Sequence, residues 1–366
     1  MKIRSALAAS VSVAALLSTT FAASAQTDLE ALYEAARAEG QLTTIALPHD
    51  WCNYGEVIAG FKAKYPGIEI NELNPNASSA DELEAIRANI GNTGPQAPDV
   101  LDIGLAFGPQ AQAEGLLQPY KVSTWDDIPD DAKDADGYWY GDYYGVLAFA
   151  VNKAVISESP ADWSDLMSDT SRNSIGLAGD PRTGNNALMS VYAAGVAAGG
   201  DDPAVAGLEF FKQLNEAGNF VPVDAEAGPL AQGTTPIAIN WDYNLLATRD
   251  NLAGNPEIEV IVPESGVVAG VYVQAISAHA PHPNAAKLWM EYLYSDEGQL
   301  GWLKGYCHPI RFNAMAEAGV IPQELIDALP AAELYADAVF PTLDQQNAAR
   351  ETIAQRWAEM VGVDIQ

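Results

Sequence analysis

Hydrophobic positions recur along the chain with the two spacings that distinguish helices from strands. Helical spacing places Leu29, Leu32 and Ala36 on one face, and the stretch LTTIAL at residues 42–47 indicates a buried strand. Such helices and strands alternate through the first hundred residues and again after residue 174. This alternation predicts an α/β protein whose sheets are mainly parallel and flanked by helices.

Three polar or aromatic loops come directly after predicted strands. Residues 48–54 follow the first strand, residues 105–108 follow a strand at 99–104, and residues 241–244 follow a strand at 235–240. Ligands of parallel α/β sheets bind at the carboxyl ends of the strands. We therefore expect these loops to form the walls of a binding site.

An aromatic segment at residues 137–145 interrupts the alternation and leads into an apolar strand at 146–152. We interpret this strand as a crossing between two lobes, because 366 residues are too many for one ordinary core. The predicted units are a signal peptide at 1–25, a first lobe at 26–147 to which residues 267–305 return, and a second lobe at 148–266 to which residues 306–366 partly return.

The N-terminal segment has the composition of a secretory signal peptide. Lys2 and Arg4 precede an apolar run at residues 6–17, and the small residues at 23–25 fit a cleavage site. We therefore expect an exported, periplasmic protein. Export would place Cys52 and Cys307 in an oxidising compartment, where an isolated pair is often a disulfide; two buried thiols are the alternative.

The chain is strongly acidic, with 49 Asp and Glu against 18 Lys and Arg and a formal net charge of −31. Such a surface repels nucleic acid and anionic lipid, so we expect no nucleic-acid partner. The need for a soluble surface is sufficient to explain this negative charge. The alternative explanation is that the protein binds a cationic ligand.

The segment GDPRTGNNA, residues 179–187, places Arg182 between a predicted strand and a predicted helix. A helix N-terminus attracts anions, Gly184 allows close backbone approach, and Thr183 and Asn185 offer hydrogen bonds. Arg182 could add a bidentate contact to a carboxylate or phosphate. We therefore predict an anion site; the alternative is a simple helix cap with Arg182 paired to a surface acid.

The other candidate ligand-binding residues are aromatic, amide or acidic. Trp241 and Tyr243 flank Asp242, a combination that suits an amine through charge and cation–π contact, although both rings could instead pack in the core. The candidates of the first lobe and the crossing strand are Asp50, Trp51, Asn53, Tyr54, Phe107, Tyr143 and Tyr144.

The sequence contains no motif for a catalytic nucleophile, a metalloprotease or a nucleotide-binding loop. We therefore predict a binding protein with no catalytic residues and no cofactor. The alternative class is an exported hydrolase in which Asp50 and Asp242 serve as an acid and base pair.

Segments spread over nearly the whole chain resemble the bacterial periplasmic solute-binding proteins of ABC transporters, a group with ferric-ion, polyamine, phosphonate and sugar-phosphate binders. These segments read LYEAARAEG, KYPGIEI, PDVLDIG, YWYGDYYGVLAFAVN and ISAHAPHPNAAKLWMEYLYSDEGQ. The resemblance implies two α/β lobes joined by crossing strands, with one small solute in the cleft between them. It further implies a monomer that closes about a hinge and docks on a membrane permease with its ATPase.

The resemblance also bears on the ligand. Ferric-ion binders of this group use two adjacent tyrosines of the second lobe, whereas the comparable stretch here has only Tyr243, and Tyr143 and Tyr144 lie at the hinge. His279 and His282 fall at the Ala-Pro-His-Pro turn of the resemblance, where we expect structural or surface residues, so we predict no metal site. We expect an organic anion (carboxylate, phosphonate or phosphate ester), with a polyamine or ferric ion as the alternative.

Overall fold

The computed structural model describes residues 28–335 and 338–366, so the predicted signal peptide lies outside the described residues. The strands are β1 Gln41–Ile45, β2 Glu69–Leu73, β3 Val100–Gly104, β4 Leu117–Gln118, β5 Trp139–Asn152, β6 Ile175–Leu177, β7 Ile237–Trp241, β8 Ile258–Ile261, β9 Ala269–Ser277 and β10 His308–Pro309. The helices are α1 28–39, α2 Tyr54–Lys64, α3 Ser79–Ala88, α4 Phe107–Ala113, α5 Asn185–Ala198, α6 Pro203–Glu216, α7 Ala227–Gln232, α8 Asp242–Leu252, α9 Pro283–Leu293, α10 Asp296–Lys304, α11 Phe312–Glu317, α12 Gln323–Ala328 and α13 Leu343–Met360.

The long strand β5 joins the two halves of the larger sheet, whose main strand order is β3-β9-β5-β7-β6. Its residues 139–146 pair with β9, and residues 147–152 pair with β7 and β8. We call the part of the protein built on β1–β3 and the start of β5 the first lobe, and the part built on β6–β8 and the end of β5 the second lobe. The two-lobed α/β fold is thus confirmed, whereas the lobe boundaries stay a prediction.

Strand directions are more mixed than the sequence pattern suggested. The pairs β1–β2 and β6–β7 are parallel, but β9 is antiparallel to β3 and β5, and β5 is antiparallel to β7 and β8. The reason is that β5 and β9 carry the chain between the lobes in opposite directions. Strands that cross between the lobes in this way run antiparallel to their neighbours. The hydrophobic periodicity of a single strand does not reveal the direction of the strands beside it.

The C-terminal third divides its helices between the lobes. Helices α9 and α10 pack against α2, where Trp289 contacts Phe61 with ring centres 5.2 Å apart. Helix α13 packs instead against α5 and α6, and its buried Trp357 contacts Phe211 with ring centres 5.9 Å apart. Within residues 28–335 and 338–366, we find no helix with the length and apolar character required to cross a membrane.

A disulfide between Cys52 and Cys307 confirms the predicted pairing. Their Cα atoms lie 5.4 Å apart although 255 positions separate them in the chain. Gly305 makes this approach possible, because a Cβ at that position would lie 2.6 Å from the backbone of Cys52 and Asn53. The bond therefore fastens the loop after β1, which carries Trp51, to the segment that leads into β10.

Candidate functional site

A cleft of about 510 Å³ opens between the two lobes. The first lobe contributes the loop after β1, the start of α3 with the loop before it, Asp102 in the middle of β3, and a residue of β9. The second lobe contributes the loop after β6, the start of α5, the segment before α7 and parts of β7 and α8. Its volume lies in the range of small-molecule sites in proteins.

Carboxylates dominate the charge of this cleft. Seven acidic residues line it, and no Lys, Arg or His is found among its lining residues. These acids are Asp50, Asp81, Glu82, Asp102, Asp180, Asp224 and Glu226. Because low-dielectric walls strengthen the field of such a cluster, the cleft concentrates cations and repels anions.

Asp102 lies at the centre of a buried polar network on the floor of the cleft. Its Oδ2 accepts hydrogen bonds from the hydroxyls of Tyr54 at 2.8 Å and Tyr143 at 2.6 Å. The indole of Trp51 donates in turn to the Tyr143 hydroxyl at 2.7 Å. The Oδ1 atom of Asp102 is buried and has no hydrogen-bond partner within the described part of the chain, which leaves an acceptor for a ligand.

Burial raises the pKa of three of the lining acids. Removal from water raises the pKa of Asp102 to about 6, although the two tyrosine hydroxyls act to lower it. Burial next to Asp102 raises the pKa of Glu82 well above its ordinary value. Near Gly179, burial and then the charge of Glu226 raise the pKa of Asp224 to about 6.

Two aromatic side chains give the cleft an apolar surface. Trp51 and Tyr272 both line it, with ring centres 5.4 Å apart in an edge-to-face arrangement. Behind them, Tyr143 stacks on Tyr272 at 5.7 Å and Trp51 meets the edge of Tyr243 at 5.6 Å. Aromatic faces beside carboxylates are suited to organic ammonium groups.

The start of α5 forms part of the opposite wall. Thr183, Gly184 and Asn185 line the cleft, as the sequence analysis expected of that loop. Asn185 is buried, and its Oδ1 has no hydrogen-bond partner among the residues described. Its side chain reaches across to Gly104 at the end of β3, where a Cβ would lie 2.3 Å from Asn185 Cγ.

Arg182 does not line the cleft. Its guanidinium makes a bidentate contact with Asp180 and an ion pair of 2.9 Å with Asp364 in the C-terminal tail. Partial burial acts to raise the pKa of Asp180, but the hydrogen bonds from Arg182 outweigh it and lower that pKa. The arginine therefore holds the tail against the rim of the second lobe.

The remaining predicted residues lie around the cleft or behind its lining. Asp50 and Trp51 line it, while the buried Tyr54 and Tyr143 reach it only through Asp102. The predicted residues that do not line it are Asn53, Tyr54, Phe107, Tyr143, Tyr144, Arg182, Trp241, Asp242 and Tyr243.

The Trp241 to Tyr243 segment packs inward. Trp241 and Tyr243 are fully buried, with their rings stacked 6.4 Å apart. Asp242 accepts hydrogen bonds from the Val146 backbone at 3.0 Å and from the Tyr335 hydroxyl at 2.7 Å. Its carboxylate is thus occupied by contacts within the protein.

Of the seven acids that line the cleft, only Asp50 was predicted from the sequence. Asp102 carried one usable signal, since it is the only acid inside the apolar strand VLDIG, and a buried carboxylate without a partner is costly. Asp224 and Glu226 carried none, because they lie in an irregular segment that only the folded chain brings to the cleft.

One of the two turn histidines, His282, makes a hydrogen bond within the protein. The ring of His282 hydrogen-bonds Asp99 at 2.9 Å, just before α9 begins. In the described ranges, no group of three or more His, Cys, Asp or Glu side chains is arranged to hold a metal ion.

Residues 96–330, more than half of the chain, match the model of the family described as bacterial extracellular solute-binding protein. The chain belongs to this family. Its members are binding proteins rather than enzymes, which agrees with the prediction made from the missing catalytic motifs. Membership implies a small-molecule solute and a permease with its ATPase as partners.

Individual relatives agree with this assignment. A probable ABC transporter periplasmic-binding protein, y4fP of Sinorhizobium fredii, is 24% identical over 295 residues, covering 77% of this chain and 78% of the relative. The structure of AfuA from Actinobacillus pleuropneumoniae with fructose-6-phosphate bound has a TM-score of 0.64 at 20% identity, covering 88% of this chain and 98% of AfuA. Iron-bound HitA from Pseudomonas aeruginosa has a TM-score of 0.62 at 17% identity, covering 88% of this chain and 99% of HitA.

Proposed function

We propose that this protein is the periplasmic receptor of an ABC importer for a small organic cation such as a diamine or polyamine. The acidic lining of the cleft, with seven carboxylates and no basic side chain, carries the proposal. An organic anion in this cleft would be repelled by every charged group around it. The charge thus supports the polyamine alternative over the organic anion that the arginine loop suggested.

Asp102 is the proposed anchor for one ammonium group. Its Oδ1 faces no donor in the described structure, and a charge-assisted hydrogen bond from an ammonium would satisfy it. Trp51 and Tyr272 would contact the adjoining carbon chain and the cation. Asp224 and Glu226 on the second lobe would receive a second cationic end.

An anionic group at the N-terminus of α5 is the second candidate. Thr183, Gly184 and Asn185 line the cleft there, and a helix N-terminus favours negative charge. Without Arg182 among the lining residues, however, this helix end would have to balance the surrounding carboxylates by itself.

A thermal-shift and calorimetry panel distinguishes these candidates. Putrescine, spermidine and choline are the cationic arm, and dicarboxylates, phosphonates, sugar phosphates and ferric citrate are the other arms. We expect cations to raise the melting temperature with concentration, because a ligand of the folded state stabilises it. A shift caused only by anions or by ferric citrate would contradict the proposal.

Two variants connect the response to the cleft. Asp102→Asn should abolish the cation shift, since it removes the anchoring charge. Asp126→Asn makes the same charge change at an exposed position outside the cleft lining and serves as the matched control. Equal losses in both variants would mean that only net charge attracts the cation.

A further inference from the structure

The second-lobe wall of the cleft carries a group of four asparagines. Asn185 and Asn186 begin α5, Asn240 lies in β7 and Asn244 lies in the first turn of α8, and all of them line the cleft. Strands β6 and β7 are parallel neighbours, so the segments that follow them meet at the same edge of the sheet. The proposed ammonium anchor at Asp102 makes no use of this group, whose chemistry therefore bears on the rest of the ligand.

Two of the four amides are used inside the wall. Asn240 Oδ1 accepts a hydrogen bond from the Trp241 backbone N–H at 2.8 Å and lies 3.5 Å from Asn186 Nδ2. Asn186 Oδ1 accepts a hydrogen bond from the backbone N–H of Ala187 at 3.0 Å. The oxygens of both amides are therefore occupied within the protein.

Asn185 and Asn244 each keep one buried polar atom without a partner. Asn185 is 2% exposed, and no hydrogen bond reaches its Oδ1 from any residue that the structure describes. That oxygen points to the first lobe, since a Cβ on Gly104 would lie 2.6 Å from it. The Nδ2 atom of Asn244 is also buried and donates to none of the described groups. Buried polar groups of native proteins are nearly always hydrogen-bonded, so we expect the ligand to supply both partners.

The two atoms require opposite hydrogen-bonding groups. Asn185 Oδ1 is an acceptor and requires a donor, whereas Asn244 Nδ2 is a donor and requires an acceptor. An ammonium group only donates and a carboxylate only accepts, so each of them satisfies one atom of the two. A hydroxyl group does both, because its oxygen carries a proton and two lone pairs. A carboxylate would in addition be repelled by Asp180, Asp224 and Glu226, which line the same wall.

We infer that the ligand of this receptor is a hydroxylated amine, whose ammonium group binds Asp102 and whose hydroxyl groups bind Asn185 and Asn244. This inference rests on the proposed function and narrows it from organic cations in general to amino alcohols. An amine without hydroxyls reaches the carboxylates but leaves the Asn244 amide unpaired. A buried donor that stays unpaired disfavours the complex, so the wall selects against the unhydroxylated cation.

Two matched ligand pairs test this inference by calorimetry with the full protein. Diaminopropanol, with its hydroxyl on the middle carbon, is compared with diaminopropane, and glucamine is compared with hexylamine. The members of each pair share their carbon chain and amino groups and differ in hydroxyls. We expect the hydroxylated member of at least one pair to bind about fivefold or more tightly than its partner, because an unsatisfied buried polar group is costly. Equal or weaker binding of both hydroxylated members to the wild type would overturn the inference.

A variant of the wall connects this preference to the asparagines. Asn244→Leu replaces the amide with an apolar side chain and should abolish the difference in affinity within a pair. The loss should fall on the hydroxylated member, while its partner binds nearly as it does to the wild type. Asn251→Leu makes the same change at an exposed position of α8 outside the cleft lining and should keep the wild-type preference. A preference that persists in Asn244→Leu, or that disappears in both variants, would contradict the assignment.

Two further ligands separate this inference from the proposed function. Diaminobutyrate carries a carboxylate on the diaminopropane frame, and sorbitol has the hydroxyls of glucamine without its amine. If diaminobutyrate binds more tightly than diaminopropanol, the wall prefers a charged oxygen, and the inference is wrong although the cation proposal stands. Equal binding within both matched pairs likewise leaves the cation proposal standing alone. Binding of sorbitol as tight as that of glucamine would contradict the proposed function and the inference together.

Discussion

Asn185 at the start of α5 packs so tightly against Gly104 at the end of β3 that only a glycine fits there. A Cβ at position 104 would lie 2.3 Å from Asn185 Cγ and 2.6 Å from its Cβ. The first residue belongs to the second lobe and the second to the first lobe, so this contact spans the cleft. The separation of the lobes is therefore sensitive to one methyl group.

Gly104→Ala should weaken solute binding by disfavouring the closed cleft. Overpacking of this kind costs about 1–3 kcal/mol, which corresponds to a loss of about 5-fold to 150-fold in affinity. Calorimetry gives the affinity, and small-angle scattering shows whether the ligand still compacts the protein. Gly228→Ala, where a Cβ meets nothing within 4 Å, is the control; a similar loss there would refute the argument.

Arg182→Ala should release the C-terminal tail from the rim without removing cation binding. The lost contacts with Asp180 and Asp364 are partly exposed ion pairs, so the free energy of unfolding should fall by only about 0.2–1 kcal/mol. Affinity for putrescine should increase slightly, because the Asp180 carboxylate is freed. A complete loss of ligand binding would instead support the expectation from the sequence that Arg182 binds an anionic ligand.

Removal of the disulfide should destabilise the protein and loosen the loop after β1 that carries Trp51. The double variant Cys52→Ser and Cys307→Ser should lose about 2–4 kcal/mol in free energy of unfolding. Denaturant unfolding with and without a reductant provides the measurement and an internal control. The wild type should respond to the reductant and the double variant should not; an equal response would show that the bond does not contribute to stability.

Asp102→Asn should abolish cation binding and yet stabilise the unliganded protein at neutral and alkaline pH. Burial raises the pKa of Asp102 to about 6 in the folded state, so the folded chain binds this proton more tightly than the unfolded chain. Stability from this group is therefore greatest at acidic pH and declines as the pH rises through about 6. Asparagine removes that decline.

Melting temperatures of both proteins across the pH range test this prediction. The difference in favour of Asp102→Asn should vanish in strong acid, grow as the pH rises from the ordinary carboxyl range of about 4 towards 6, and stay constant above that. The wild-type affinity for putrescine should decrease as the pH falls below about 6. A variant that is less stable than the wild type at every pH would mean that the Asp102 carboxylate supports the fold.

Much of the fold was predictable because it depends on local patterns. Apolar runs indicated the strands around Leu42 and Ile103, and the aromatic segment into residues 146–152 indicated the crossing strand. The pairing of Cys52 with Cys307 was the expected outcome for an isolated cysteine pair in an oxidising compartment, and the structure decided between it and two buried thiols. Parallel or antiparallel pairing was not predictable, because it depends on where β5 and β9 return in space.

The sequence by itself indicated the family and the two-lobed α/β fold, because these follow from periodicity and from motifs of neighbouring residues. Of the three loops predicted to wall the site, residues 48–54 contribute to the cleft lining, residues 241–244 contribute only Asn244, and residues 105–108 contribute none.

Only the tertiary structure decided the charge of the site. From the sequence we expected Arg182 to be available to bind an anionic ligand, but in the folded chain its guanidinium forms ion pairs with Asp180 and with the distant Asp364. In the sequence Asp102 is one residue of an apolar strand. Only the folded chain shows that it lies at the floor of the cleft, where it accepts hydrogen bonds from Tyr54 and Tyr143. Which charged groups pair depends on the distance between them in the folded chain, and the number of residues that separate them in the sequence does not give that distance.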